Sequence, residues 1–158
     1  MNLERLKKDI IRFESIEYTP YICSADKESI KIDGKPRYTV GVGHLILPTE
    51  SHLLNRQKPL TNAEVMVLFE KDLSIAMNEA KKFINPSSIE PEAWEIVCHL
   101  SFWLGYPTLA KFKNTQKALE NQDYVLCAEE LLDSNLYRST FKGVKNRIIE
   151  LSSRMKDI

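Results

Sequence analysis

The chain has 158 residues and a mass of 18.3 kDa, enough for one domain, or for two small lobes sharing a core. Its composition, 43% hydrophobic and 28% charged, excludes a disordered chain, and 22 basic residues balanced by 22 acidic ones disfavour general nucleic-acid binding. No apolar run approaches a membrane span, and the charged start Met1-Asn2-Leu3-Glu4-Arg5-Leu6-Lys7-Lys8 is unlike a secretory signal.

In chain order, the first element is a short amphipathic helix over residues 3–14, with Leu3, Leu6, Ile10 and Phe13 on one face. Residues 18–47 change to β-formers, broken by Pro20, Pro36 and Asp33-Gly34. Within them, Ile30-Lys31-Ile32-Asp33-Gly34-Lys35 reads as a strand entering a tight turn. Thr61 with Glu64 makes a capping box, flanked by Leu60 and Val65 as a hydrophobic staple, and opens a helix that runs to about Phe83. Asn85-Pro86-Ser87-Ser88 breaks it. Residues 92–104 are apolar almost all round, which marks a central helix; Gly105 and Pro107 end it. Shorter helices are expected at about 115–120, 123–133 and 140–155, with Asp123 and Thr140 as N-caps. The order predicts a mainly-α α+β fold. It has a β-lobe (15–60), a helical lobe (1–14 plus 84–158) and a connecting helix (61–83). A groove between such lobes is a natural ligand site.

Glu14 falls on the apolar stripe of the first helix and at its C-terminus. Both positions favour the protonated acid that general-acid catalysis needs, although a solvated helix flank fits the same position. In Tyr38-Thr39-Val40-Gly41-Val42-Gly43-His44, read as one strand, Thr39, Gly41 and Gly43 share a face left bare for a ligand or another backbone. His44 then faces the core or the long helix as a structural histidine, with Asp72 as its candidate partner. Cys98 and Cys127 read as core residues and Cys23 as a strand-end thiol. The widely spaced cysteines and the histidines His44, His52 and His99 form no ligand spacing, so free thiols, no metal and no cofactor are expected. Trp94, Phe102, Trp103 and Phe112 read mainly as core, with Trp103 the one nearest the surface. The last 22 residues carry six basic and two acidic residues, enough to attract an anionic polymer or simply to solvate a helix face.

Together these segments resemble the phage-type lysozymes, the muramidases of glycoside hydrolase family 24. The resemblance runs through Arg12-Phe13-Glu14, Tyr21-Ile22-Cys23-Ser24-Ala25 and, most strongly, Tyr38-Thr39-Val40-Gly41-Val42-Gly43-His44-Leu45. It continues at Leu68-Phe69-Glu70-Lys71-Asp72, at Phe102-Trp103-Leu104-Gly105 with Phe112 and Asn114, and ends near Tyr137 and residues 143–150. It implies a two-lobed lysozyme-like fold with an antiparallel β-lobe.

The resemblance also implies a catalytic set of Glu14, Cys23 and Thr39, Cys23 standing nine positions after Glu14 as in the cysteine-bearing variant. Two features depart from the family pattern. Ser15 replaces the glycine that usually follows the glutamate, and residues 24–38 imply an insertion of about ten residues in the β-lobe. The insertion leaves Asp33 as the alternative to Cys23. Leu45, Phe102, Trp103, Asn114 and Arg147 are the substrate-binding candidates by motif position. The implied partner is bacterial peptidoglycan, with no nucleic acid, no stable membrane association and a monomeric state. The implied setting is the host cytoplasm before lysis, or a phage tail. A catalytically silent glycan-binding or phage structural protein on the same fold is the alternative, supported by the neutral charge and the missing family aspartate.

Overall fold

The computed structural model describes residues 1–22, 31–32 and 35–158. Among them the chain forms a mainly-α α+β fold, as the element order predicts. By its contacts it divides into two compact units, one of residues 10–73 and one of residues 1–9 with 74–158.

Helix α1 (Leu3–Glu14) has the predicted bounds. Leu6 and Ile10 are buried and Phe13 half-buried, but Leu3 is 39% exposed, so the apolar stripe starts one turn later than its spacing suggests. The helix stops at Ser15, which takes a left-handed φ of +63° while its N–H still reaches the Ile11 carbonyl at 2.8 Å. That conformation at a helix end is where glycine is favoured, which gives the family's usual glycine a backbone reason.

Strands β1 (Glu17–Tyr21), β4 (Thr39–Gly41) and β5 (His44–Leu45) make an antiparallel sheet in the order β1-β4-β5. A separate pair joins β2 (Lys31–Ile32) to β3 (Lys35–Pro36); the Asp33-Gly34 turn between them lies outside the described residues. One expectation fails here. Residues 38–44 are not a single strand but a hairpin, with Val40 opposite His44 and Thr39 opposite Leu45. Gly41 and Gly43 adopt φ of +68° and +66°, which reverses the chain within three residues. The alternation of faces read from the sequence therefore ends at Gly41.

The hairpin is followed by a 3-10 turn (Pro48–Glu50) and the short helix α2 (Ser51–Leu54). Helix α3 (Asn62–Phe83) opens with the predicted capping box: Glu64 N–H donates to Thr61 Oγ1 at 3.2 Å, and Thr61 N–H donates to Glu64 Oε1 at 3.1 Å. Leu60 and Val65, the expected staple, are both buried. Val40, Val42, Ile46, Leu53 and Phe69 complete the core of this unit.

The other unit is helical. In α4 (Pro91–Leu104) every residue from Ala93 to Ser101 is buried, as its apolar character demands. Ser101 satisfies its hydroxyl on the Ala76 carbonyl at 2.8 Å. Then come α5 (Tyr106–Leu109), α6 (Lys113–Glu120), α7 (Tyr124–Leu132) and α8 (Lys142–Lys156). Asp123 caps α7 by accepting from Leu126 N–H at 3.0 Å. Thr140 does not cap α8; Phe141 holds that position without a side-chain bond. Helices α7 and α8 pack together around Cys127, Leu131, Ile148 and Leu151. Cys98 and Cys127 are fully buried free thiols, as expected, and burial pushes each up to about 12.

Candidate active site

Glu14 is the last residue of α1 and half-buried. Its carboxylate lies against the hairpin tip. A Cβ added to Gly43 would stand 3.0 Å from Glu14 Oε2 and 3.5 Å from its Cδ. Bare backbone thus borders the acid. Thr39 and Leu45 sit opposite one another on the same hairpin and are both half-buried. The sequence thus brings Glu14, Thr39 and Leu45 into one unit, around a turn that only glycine makes without strain. Cys23 and Asp33, the competing middle residues, lie outside the described residues.

The hairpin is anchored from behind. His44 is buried, 7% exposed, with Nδ1 2.7 Å from Asp72 Oδ2 on α3. This is the pairing read from the sequence. Its Nε2 lies 2.9 Å from Glu50 Oε2, a partner the sequence reading missed. Only the imidazolium donates from both nitrogens, and the hydrogen bond to Asp72, opposed by burial and aided by Glu50, raises the His44 pKa. Glu50 also accepts from Leu47 N–H at 3.0 Å. Burial works against the Glu50 charge, but the Leu47 and His44 bonds prevail and lower its pKa.

The remaining candidates belong to the helical unit. The Arg147 guanidinium stacks 4.4 Å over the Trp103 ring, and its Nε donates to His99 Nε2 at 2.9 Å. Arg147 is only 4% exposed, and its guanidinium is packed between Trp103 and His99. Trp103 is half-buried, whereas Trp94 is buried, in line with the expectation that Trp103 is the tryptophan nearer the surface. Phe102 is half-buried beside it in sequence. Asn114 is exposed and donates to Glu130 Oε2 at 3.0 Å.

A charged cluster in this unit went unread. Glu95, in the middle of α4, is fully buried. It accepts from Arg5 Nε at 2.7 Å, Arg5 Nη2 at 2.9 Å, Asn2 N–H at 2.9 Å and Arg154 Nη2 at 2.8 Å. Burial opposes its charge, yet the bonds from Arg5, Asn2 and Arg154 outweigh burial and hold its carboxyl below the ordinary glutamate value. Arg154 also reaches Glu92 and Asp9, and Arg5 pairs with Glu92. The signal was a lone glutamate between Trp94 and Ile96, since a fully buried carboxylate is rare unless paired. Every charge in this cluster is spent on another, so it reads as a structural staple joining α1, α4 and α8. The C-terminal basic excess is partly consumed in the same way, by Arg154 here and by Arg138 on Asp133. Among the described residues no group of His, Cys, Asp and Glu is placed to hold a metal ion.

No protein-family model matches the chain. Two curated proteins of Dictyostelium discoideum, named probable T4-type lysozyme 2 and probable T4-type lysozyme 1, are similar to it. Each is 24% identical over 165 aligned residues, covering 91% of this chain and 91% of the relative. The resemblance to the phage-type lysozymes therefore holds along nearly the whole chain, in sequence and in its mainly-α α+β architecture.

Proposed function

We propose that this protein is a glycoside hydrolase acting on peptidoglycan, a muramidase that cleaves the β-1,4 bond from N-acetylmuramic acid to N-acetylglucosamine in phage-driven lysis. The observation that carries the reading is the seat of Glu14: half-buried, at a helix end, with its carboxylate against the bare Gly43 of the hairpin that bears Thr39. The T4-type lysozyme names of the relatives support the reaction class.

In this reading Glu14 gives its proton to the glycosidic oxygen as the bond to the anomeric carbon breaks. Water adds to the oxocarbenium-like carbon from the other side and releases its second proton to solvent, and the Glu14 carboxylate takes a proton back from solvent, so the net reaction is hydrolysis of one glycosidic bond. Thr39 holds that water through its hydroxyl. Cys23 takes the middle role. A thiol of ordinary pKa is only about 3% thiolate at pH 7, so it serves chiefly to orient water. Inversion is the expected stereochemistry. Leu45, Phe102, Trp103 and Asn114 contact glycan, and Arg147 holds Trp103 in place. The protein acts as a monomer and accumulates in the host cytoplasm before lysis.

Replacement tests the roles. Cys23→Ala and Thr39→Val are each expected to lower turnover of purified peptidoglycan about 100-fold with the fold retained. An undiminished rate in Cys23→Ala, with loss in Asp33→Asn, would transfer the middle role to Asp33.

A further inference from the structure

The Glu50 carboxylate does more than close its own turn. Leu47 and Glu50 cap the 3-10 turn reciprocally: Glu50 N–H donates to the Leu47 carbonyl at 2.9 Å, and Leu47 N–H donates to Glu50 Oε2 at 3.0 Å. That same Oε2 also lies 2.9 Å from His44 Nε2. A carboxylate that only capped a turn could stay in water, yet the Glu50 side chain is 14% exposed.

The two bonds bracket a short run of chain. His44 starts β5, Leu47 lies just past its end, and between them Ile46 N–H donates to the Tyr38 carbonyl at 2.9 Å. Thr39 stands opposite Leu45, inside the bracket. β5 is an edge strand with β4 as its neighbour in the sheet, and Leu47 is exposed, so packing does not hold that end. The other end is held by charge. Asp72 takes His44 Nδ1 and Glu50 takes Nε2, and only the imidazolium donates to both. Among the described residues the charged groups acting on His44 are Asp72 and Glu50, with Lys71 acting on Glu50; Val40, opposite His44 on β4, brings none. Loss of the ring proton leaves a lone pair facing a carboxylate, and one side of the bracket opens. We infer that Glu50 is a positioning residue for Thr39: one carboxylate oxygen, bonded to a charged His44 and to Leu47 N–H, fixes the strand opposite the threonine. This inference rests on the reading of Thr39 as the residue that holds the water.

The test compares wild type with Glu50→Gln and Glu50→Ala. The measurements are kcat and KM on soluble peptidoglycan glycan strands across pH, the nitrogen NMR signals of the His44 ring, and melting temperature. The glutamine amide oxygen still accepts both bonds from a protonated His44 but carries no charge. At about pH 5.5, a unit below the ordinary histidine pKa of about 6.5, Glu50→Gln should keep kcat within about twofold of wild type. As pH rises, its kcat relative to wild type should fall about tenfold, with a midpoint that matches the His44 titration in the same variant, because small misplacement of a reacting group is costly. Glu50→Ala offers no acceptor and should lose about tenfold in kcat at every pH. A Glu50→Gln rate that keeps a constant ratio to wild type, or falls without following His44, would overturn the inference. So would a folded Glu50→Ala at full rate; if that variant does not fold, Glu50→Gln decides alone. A Thr39→Val enzyme at full rate would instead overturn the role of Thr39, and the inference with it, while the His44 titrations would stand.

Discussion

The imidazole of His44 and the carboxylate of Asp72 are joined by a 2.7 Å hydrogen bond that ties the glycine hairpin to the long helix α3. Because Glu50 faces the other ring nitrogen at 2.9 Å, the pair works as a clamp with the positive charge in the middle. The clamped residue, His44, directly follows Gly43 in the chain, so the clamp holds the end of the hairpin turn that borders Glu14.

This clamp makes stability pH-dependent. The folded His44 pKa is raised, so its contribution is complete below the ordinary histidine pKa of about 6.5 and fades as pH rises through the raised value. Glu50 acts in the opposite sense. Its lowered pKa gives a contribution complete above the ordinary glutamate value of about 4.3 and lost as pH falls. The stability gap between wild type and His44→Asn should be widest near pH 5–6, at about 1–3 kcal/mol, and narrow above it. Thermal unfolding of both proteins from pH 5 to 10 checks this, and a constant gap across the range contradicts it.

The Glu95 staple predicts a stability cost without a functional one. Removing a buried carboxylate leaves Arg5 and Arg154 facing an emptied site, and Glu95→Ala should cost about 3 kcal/mol. The low end of the range applies because the Arg5 side chain is 44% exposed. Urea unfolding measures the loss. A cost under about 1 kcal/mol would mean that water replaces the pair with little penalty.

Ser15 predicts a gain. A residue other than glycine in the left-handed region is strained, and the freedom that glycine adds to the unfolded chain offsets only part of the relief. Ser15→Gly is therefore expected to stabilise the fold by about 0.5–1 kcal/mol. Lowered stability would show that the Ser15 side chain contributes more than its backbone costs.

Cys98 and Cys127 are buried thiols held far from ionisation, so native protein should leave both unmodified by iodoacetamide at pH 8. Both should react once the chain is unfolded in guanidinium. Peptide mapping after labelling separates them from Cys23, and native-state labelling at either buried position would contradict the described packing.

The features legible in the sequence were the local ones. The Thr61–Glu64 box, the Asp123 cap, the ends of α1 and α3 and the burial of α4 depend on neighbours three or four positions apart, and periodicity exposes those. The His44–Asp72 pairing was named correctly although the strand alternation behind it ends at Gly41. The hairpin at 39–45 was misread because alternation assumes extended backbone and does not register two left-handed glycines. Helices α2 and α5 are a single turn each, too short for a period. Glu50 and Glu95 find their partners through tertiary packing, six residues away for one and across three helices for the other. The nearness of Gly43 to Glu14 is of the same kind, a contact between a helix end and a turn tip with no sequence spacing to reveal it.

Digestion of purified peptidoglycan by wild type and Glu14→Gln, with reducing ends identified by mass spectrometry, tests the central claim most directly. The account predicts wild-type products ending in reducing N-acetylmuramic acid. It predicts at least a 100-fold lower yield, on the order of what a general acid contributes, from a Glu14→Gln protein with an unchanged melting profile. Equal product from the folded variant, or no product from the wild type on several wall types, would contradict it.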